Sequence, residues 1–200
     1  MNIKELKREY SKRKNKIKQR LKDFEAQSDY FYELCFCVLT PQSNAYKCDE
    51  CINILKENHF ENKKIDIENI LQKYTRFHRN KSKYLIRLKE SQHIILTELS
   101  NIKDPMAKRD FLVNNVKGIG LKEASHYLRN IGYKNLAILD RHILKNLKKH
   151  NVITDLPRSL TRKKYLEIEE KFKLFSKKID ISMDELDLLF WSMETGKVFK

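Results

Sequence analysis

Glycine and proline are scarce in this chain, whose 200 residues contain four glycines and three prolines. Both residue types interrupt helices, so their rarity, together with apolar residues spaced three or four positions apart, predicts a nearly all-α fold. No apolar run approaches the roughly 18 to 20 residues of a membrane span. The lysine-rich residues 1–16 lack the apolar core of a secretory signal. These absences predict a cytoplasmic protein without a membrane segment.

Acidic residues are few relative to basic ones. The chain has 27 Asp and Glu against 42 Lys and Arg, a formal net charge of +15. An excess of this size indicates a polyanionic partner, and nucleic acid is the leading candidate. A chain of this length is expected to form one domain that buries about 70% of the unfolded chain's surface.

Cysteine is limited to four residues, and without a secretion signal these are expected to be reduced thiols. Cys48 and Cys51 have the spacing of a zinc half-site, and Cys35 and Cys37 precede them, so a four-thiolate site is arithmetically possible. However, the second C-x2-C pair is missing. Cys35 and Cys37 also lie in the apolar helical run 31–39, where a free cysteine behaves as a small buried hydrophobe. We therefore expect packing roles and no metal.

The helical pattern divides into ten segments, and local signals fix some of their ends. Asp104 before Pro105 is an N-cap followed by proline at the first helical position. Ser182 and Glu185 have the spacing of a capping box. Helices are predicted within the first 28 residues and at about 29–39, 42–57, 66–72, 80–98, 105–115, 121–131, 141–149, 161–177 and 183–194.

Two of the four glycines, Gly118 and Gly120, lie two residues apart between helical patterns. A helix that ends, turns sharply through glycines and begins again predicts a helix-hairpin-helix motif at about 111–131. The backbone of such a turn can approach a phosphate, which makes Lys117, Gly118 and Gly120 candidate contacts to a DNA backbone. The alternative is a tight turn between two core helices.

Lys122 follows the hairpin directly, in the first turn of the second predicted helix. The field at that helix end favours a neutral, nucleophilic amine. Asp140 lies eighteen residues further on, after an apolar run and at the head of another predicted helix. The alternatives are a solvated or phosphate-binding lysine and an aspartate that serves only as an N-cap.

Lys122 and Asp140 together indicate chemistry on a nucleoside. A neutral lysine can attack the sugar C1′ as the base departs, while a carboxylate stabilises the developing oxocarbenium charge. The resulting Schiff base acidifies the neighbouring sugar carbon, so that β-elimination of the 3′ phosphate can follow. The pair therefore predicts a lyase as well as a glycosylase.

The hairpin, its lysine and the later aspartate resemble the helix-hairpin-helix Gly/Pro-Asp superfamily of DNA glycosylases. More closely, the chain resembles the archaeal-type 8-oxoguanine DNA glycosylase/AP lyase family, on segments 33–40, 116–126, 138–144, 162–169 and 195–200. The resemblance implies an all-α fold of two helical lobes with the helix-hairpin-helix motif at the cleft between them. It also implies one glycosylase domain over 1–200, whose N- and C-terminal helices share a lobe. The implied partner of this monomer is double-stranded DNA that contains 8-oxoguanine.

The family's functional residues can be matched to positions of this chain. Lys122 matches the Schiff-base lysine and Asp140 the catalytic aspartate. Phe77 and Trp191 match the aromatic residues that sandwich the flipped-out base, which needs replacement stacking. Lys200 matches a C-terminal lysine whose main-chain carboxylate contacts the oxidised base.

The chain departs from the family pattern after Thr40, where Gln42 or Asn44 is expected to probe the base opposite the lesion. No cysteine follows Asp140, so the branches of the superfamily that hold an iron–sulfur cluster are disfavoured. No redox or catalytic metal cofactor is implied, although the hairpin carbonyls can hold a structural monovalent cation. Two alternatives stay open, namely a glycosylase for another damaged base and a non-catalytic DNA-binding module.

Overall fold

The computed structural model describes residues 3–200, and all regular secondary structure in that range is helical. Within residues 3–200, ten helices follow one another. They are α1 Ile3–Glu25, α2 Tyr30–Leu39, α3 Ala45–Glu57, α4 Ile67–Tyr74, α5 His78–Asn101, α6 Pro105–Asn115, α7 Leu121–Asn130, α8 Arg141–Lys149, α9 Arg162–Ile179 and α10 Met183–Thr195. The predicted all-α class is confirmed.

Side-chain caps decide where several helices begin. Asp104 accepts a hydrogen bond from the backbone N–H of Ala107 at 2.7 Å, which confirms the predicted cap of α6. The capping box of Ser182 and Glu185 is present at the start of α10. The prediction for α3 began too early, because Asn44 caps this helix and holds its first turn at Ala45.

The chain divides into two compact units. The middle unit comprises residues 28–127, and the terminal unit comprises residues 3–27 together with 128–200. Segments from both ends of the chain therefore share the terminal unit. The chain passes from the middle unit to the terminal unit within α7.

Helix α2 forms the core of the middle unit. Its residues 31–39 are all buried, so this helix presents no solvated face. The neighbouring helices α3 and α5 pack against it, and α4 packs against both of them. The carboxyl end of α2 is thereby enclosed by other helices, with Leu39 fully buried, whereas Gln42 in the segment after it is exposed.

The four cysteines lie in α2 and α3, and all are buried free thiols. Burial raises the pKa of Cys48 to about 11 and that of Cys51 to about 12, so both are protonated near neutral pH. Within residues 3–200, no three His, Cys, Asp or Glu side chains are grouped so that they could hold a metal ion. The thiols contribute to packing.

Helix α10 organises the terminal unit, where it packs against α1, α8 and α9. Its buried Leu186, Leu189 and Phe190 face the core. The hydroxyl of Tyr10 donates to Glu185 Oε1 at 2.6 Å and joins α1 to α10. This packing fixes the helix that carries Trp191. None of the helices in residues 3–200 is both long enough and apolar enough to cross a bilayer.

Candidate active site

The predicted helix-hairpin-helix motif is formed by α6, α7 and the five residues 116–120 between them. Val116 and Ile119 are buried and anchor the turn, whereas Lys117 and Gly118 are exposed. The turn therefore presents main chain and a positive charge to solvent at two of the positions predicted to contact a DNA backbone.

Gly118 is required by both its backbone conformation and its surroundings. Its φ of +91° lies in a region that side chains disfavour. A Cβ built at this residue would lie 2.5 Å from Cδ2 of Tyr84. The hairpin thus packs its glycine directly on an aromatic ring of α5.

Gly118→Ala should destabilise the protein by about 2 kcal/mol or more, because backbone strain and overlap with the Tyr84 ring add together. Urea unfolding followed by circular dichroism measures the loss. Gly196→Ala is the matched control, since Gly196 also has a positive φ of +83° but no atom within 4 Å of the added Cβ. Equal losses in the two variants would show that contact with Tyr84 contributes nothing.

Lys122 is the second residue of α7, and its side chain is 25% exposed. Its Nζ lies 2.8 Å from Oε1 of Glu123, whose Oε2 accepts a hydrogen bond from the backbone N–H of Gly120 at 3.2 Å. Glu123 therefore links the Lys122 amine to the hairpin turn. Its carboxylate also accepts the hydrogen bond of the Gly120 N–H, one of the backbone groups expected to face a phosphate. The candidate nucleophile lies at the hairpin, half buried and next to a proton acceptor.

A concave surface of about 500 Å³ lies along the hairpin. Its wall consists of residues 113–120 and the side chains of Tyr84 and Arg87 from α5. Arg87 and Lys117 give it positive charge, and the exposed turn gives it accessible main chain. This surface has the chemistry of a phosphate-backbone contact without base readout.

Asp140 caps α8 in the terminal unit. Its Oδ1 accepts hydrogen bonds from the backbone N–H groups of His142 and Ile143, both at 2.8 Å. The cap uses Oδ1, so Oδ2 stays available for a second role. Asp140 is thus a helix N-cap, and this cap leaves the catalytic role of the same residue open.

Trp191 lies on α10, where the ring of His142 meets it edge-on with centroids 5.4 Å apart. Glu194 Oε2 lies 2.9 Å from Lys145 Nζ and 3.9 Å from His142 Nδ1. Within the terminal unit, His142 therefore connects the start of α8, which Asp140 caps, with the candidate stacking surface on α10.

Phe77 is an exposed aromatic side chain in the middle unit, with 52% of its surface accessible. It precedes α5 with a left-handed φ of 57°, and the guanidinium of Arg76 lies 5.5 Å from its ring centroid. An aromatic residue that only packs in the core is seldom exposed and seldom has a strained backbone. Both features are expected of a ring that stacks on a flipped-out base.

Gln42 and Asn44 lie on the segment between α2 and α3. Gln42 is exposed and has a left-handed φ of 55°. Asn44 Oδ1 accepts a hydrogen bond from the backbone N–H of Lys47 at 3.1 Å and so acts as a helix cap. Of the two candidates for probing the opposite base, Gln42 is the one whose side chain has no capping role.

Lys200 lies in the tail that follows α10 in the terminal unit. Gly196 ends the helix, and the tail residues Lys197 and Val198 line a groove of about 490 Å³ beside α1. Several basic residues of α1 share this lining, namely Lys12, Arg13, Lys16 and Arg20. The tail thus leaves the helix beside a positively charged surface.

Sequence reasoning missed three residues around the site, Lys81, Glu123 and His142. Glu123 stands three residues after Gly120, the spacing of a capping box, and this signal could have been found. Lys81 shares a helical face with Leu85 and Leu88, so a lysine in an apolar stripe was a second usable signal. His142 carried no signal, because only tertiary packing brings it to Trp191.

A basic, all-helical chain with an exposed hairpin and a lysine in the next turn defines a helix-hairpin-helix DNA glycosylase. Residues 12–181 match the family described as 8-oxoguanine DNA glycosylase. The 8-oxoguanine DNA glycosylase/AP lyase of Fusobacterium nucleatum is 43% identical, with 98% of this chain and 96% of that protein covered. The enzyme of the same name from Methanocaldococcus jannaschii is 38% identical, with 99% and 97% covered.

Solved structures give the same result. The Methanocaldococcus jannaschii 8-oxoguanine glycosylase/lyase in complex with a 15mer DNA containing 8-oxoguanine matches with a TM-score of 0.90 at 34% identity, and each chain is 99% covered. The 8-oxoguanine DNA glycosylase of Thermotoga maritima matches with a TM-score of 0.89 at 31% identity. The chain belongs to the 8-oxoguanine DNA glycosylase family.

Proposed function

We propose that this protein starts base excision repair by removing 8-oxoguanine from double-stranded DNA and then cutting the strand as an AP lyase. The observation that carries the proposal is the half-buried Lys122 in the first turn after the hairpin. The near full-length likeness to proteins named 8-oxoguanine DNA glycosylase/AP lyase supports the choice of lesion.

The first step breaks the glycosidic bond. Lys122 loses its proton, and Glu123 Oε1, 2.8 Å away, is placed to accept it. The neutral Nζ then attacks C1′, the bond from C1′ to the base breaks with its electron pair going to the base, and the base leaves after taking up a proton. Asp140 stabilises the positive charge that develops on the sugar.

The second step cuts the strand. The sugar ring opens to give a Schiff base between C1′ and Lys122 Nζ, and this cation acidifies the hydrogens on C2′. Removal of one C2′ proton forms a double bond as the 3′ phosphate leaves with the electron pair of its C–O bond. Water then hydrolyses the Schiff base and frees the lysine, so no oxidant or reductant is needed.

Base recognition is assigned to residues that present exposed or partly exposed side chains. Phe77 and Trp191 stack on the flipped-out base, which requires aromatic faces in place of its neighbours. Gln42 fills the position that the flipped nucleotide leaves and meets the opposite base. Lys117, Gly118 and Gly120 contact the phosphate backbone, with the Gly120 amide exchanging Glu123 for phosphate.

A monovalent cation at the hairpin would have a structural role only. The turn at 116–120 offers neutral main-chain oxygens, the donor class that hard cations take from a protein backbone. Such an ion would stiffen the turn, and all of the chemistry above is done by side chains. We propose that the protein acts as a monomer and that it works in the cytoplasm on nucleoid DNA.

We assign recognition of the oxidised base to the main-chain carboxylate of Lys200. If so, one glycine added after Lys200 should lower 8-oxoguanine excision about tenfold or more, because it moves a charged acceptor out of place. Lys200→Ala is the matched control and should change excision little, since it keeps the carboxylate. Rates are measured under single-turnover conditions. A larger effect of the alanine variant would assign the role to the side chain instead.

The decisive test of the proposed function is borohydride trapping on end-labelled duplexes. One duplex carries 8-oxoguanine, others carry an oxidised pyrimidine or an alkylated purine, and one is undamaged. We expect a covalent adduct with the 8-oxoguanine duplex and none with undamaged DNA. Adducts confined to another lesion would indicate a different substrate, and binding to all duplexes without any adduct would indicate a non-catalytic DNA-binding module.

A further inference from the structure

Lys81 is a lysine that the proposed chemistry does not use, yet it is 4% exposed. Its ammonium contacts four oxygens, namely Leu39 O at 2.7 Å, Pro41 O and Thr75 Oγ1 at 2.8 Å, and Ser43 Oγ at 2.9 Å. All four are neutral. A buried charge with no carboxylate among these contacts is expensive, and an apolar side chain usually serves stability better.

The four oxygens belong to two different segments of the middle unit. Residues 39–43 comprise the last residue of α2 and the four residues after it, and Thr75 lies between α4 and α5. Ser43 also joins the segments directly, because its hydroxyl lies 2.8 Å from Thr75 Oγ1 and accepts a hydrogen bond from the backbone N–H of Arg76 at 3.0 Å. Lys81 therefore lies at the centre of a hydrogen-bonded network between them.

Each segment holds one residue in left-handed backbone, Gln42 with a φ of 55° and Phe77 with a φ of 57°. Such residues cost about 1 kcal/mol or more each and persist only where their surroundings fix them. Partners of Lys81 flank Gln42 on both sides. Phe77 lies two residues after Thr75, and its carbonyl oxygen accepts a hydrogen bond from the backbone N–H of Lys81 at 3.0 Å.

We propose that Lys81 is a positioning residue for lesion recognition, whose buried ammonium locks the two segments that present Gln42 and Phe77 to DNA. The proposal rests on the function assigned above. Excision of a paired base needs both presented side chains, because the base must be taken from the stack and held. Cleavage at a preformed abasic site offers no base for Phe77 to hold, and its bond-breaking step uses Lys122, so excision should depend on Lys81 more strongly than abasic-site cleavage does.

Lys81→Met removes the charge and keeps an unbranched side chain in the cavity. We expect 8-oxoguanine excision to fall about 100-fold under single-turnover conditions, as for a group displaced by about 1 Å. Cleavage of abasic-site DNA and trapping through Lys122 should fall less than about threefold. Lys83→Met is the matched control, because it removes the same charge from an exposed position of the same helix. It should leave the ratio of the two rates unchanged.

The outcomes separate this proposal from the proposed function. If wild-type protein fails to trap on 8-oxoguanine DNA, the function itself is wrong. If wild type traps and Lys81→Met loses both reactions equally while its circular dichroism melt stays cooperative, Lys81 does not act on recognition. If Lys81→Met does not fold, the double variant Ser43→Ala with Thr75→Val removes two acceptors instead. An unchanged ratio of rates in that variant would overturn the proposal.

A pH profile gives a readout that a purely structural role would not produce. Burial lowers the pKa of Lys81 to about 8, an effect that the charges of Lys122 and Arg76 strengthen and that Cys48 and Glu123 oppose. Neutral Lys81 has two N–H donors for four acceptors, which loosens the network. The ratio of excision to abasic-site cleavage should therefore fall between about pH 7 and about pH 9.5. Taking the ratio cancels the contribution of Lys122, since both reactions use it.

Discussion

Lys122→Gln should abolish both the borohydride adduct and strand cleavage, with a loss of at least about 1,000-fold in each. Glutamine is one bond shorter than lysine but stays polar, and its uncharged amide nitrogen cannot form a Schiff base. DNA affinity should stay close to that of the wild type, because the exposed turn and the basic surface supply the phosphate contacts. Trapping on 8-oxoguanine DNA and a binding titration measure the two effects.

The matched control for this variant is Lys117→Gln, which removes the exposed lysine of the same hairpin. It should weaken DNA binding and flatten its salt dependence, and it should leave trapping intact at saturating DNA. A persistent adduct in Lys122→Gln would mean that another amine is the nucleophile.

Asp140→Asn should lower excision of 8-oxoguanine by about 100- to 1,000-fold and change the melting temperature little. Asparagine caps a helix as well as aspartate does, so α8 keeps its first turn, while the charge that stabilises the sugar cation is lost. Cleavage at a preformed abasic site should fall less, because no glycosidic bond has to break. Single-turnover rates on both substrates and a thermal melt test this.

Two further variants separate the cap from the chemistry. Asp140→Ala should also lose the cap, which is worth about 1 kcal/mol and lowers Tm by about 2–4 °C in a protein of this size. Asp104→Asn makes the same exchange at the cap of α6 and should change neither rate. If Asp140→Asn excised 8-oxoguanine at the wild-type rate, the carboxylate would serve only as a cap.

Glu123 connects the proposed nucleophile, Lys122, with the proposed phosphate contact at Gly120. In the free protein it holds both the Lys122 amine and the Gly120 amide, so a phosphate that approaches the turn competes for this amide. Binding of the backbone would thereby loosen Glu123 just as the lysine reaches the sugar. The proposed nucleophile, Lys122, and the proposed phosphate contact, Gly120, lie two residues apart because the first turn after the hairpin can supply both.

Several features of this protein follow from the sequence alone, because the forces behind them act over a few residues. Helix periodicity and the rarity of glycine predicted ten helices, and the caps at Asp104 and Ser182 predicted where two of them begin. The glycines at 118 and 120 predicted the hairpin and placed Lys122 in the turn after it. The net charge of +15 predicted a polyanionic partner.

Only the tertiary structure decided what lies between elements that are distant in the chain. Three of the four oxygens that Lys81 contacts belong to residues 38 to 42 positions away, and His142 meets Trp191 at a separation of 49 residues, so no local pattern could have identified these partners. The start of α3 also decided between Gln42 and Asn44, because the helix begins at Ala45 and Asn44 caps it, which leaves Gln42 without a capping role. Helix caps and hydrophobic periodicity depend on residues close together in the sequence, so the sequence predicts them. The burial of a charged side chain depends on how distant helices pack around it, so only the tertiary structure shows it.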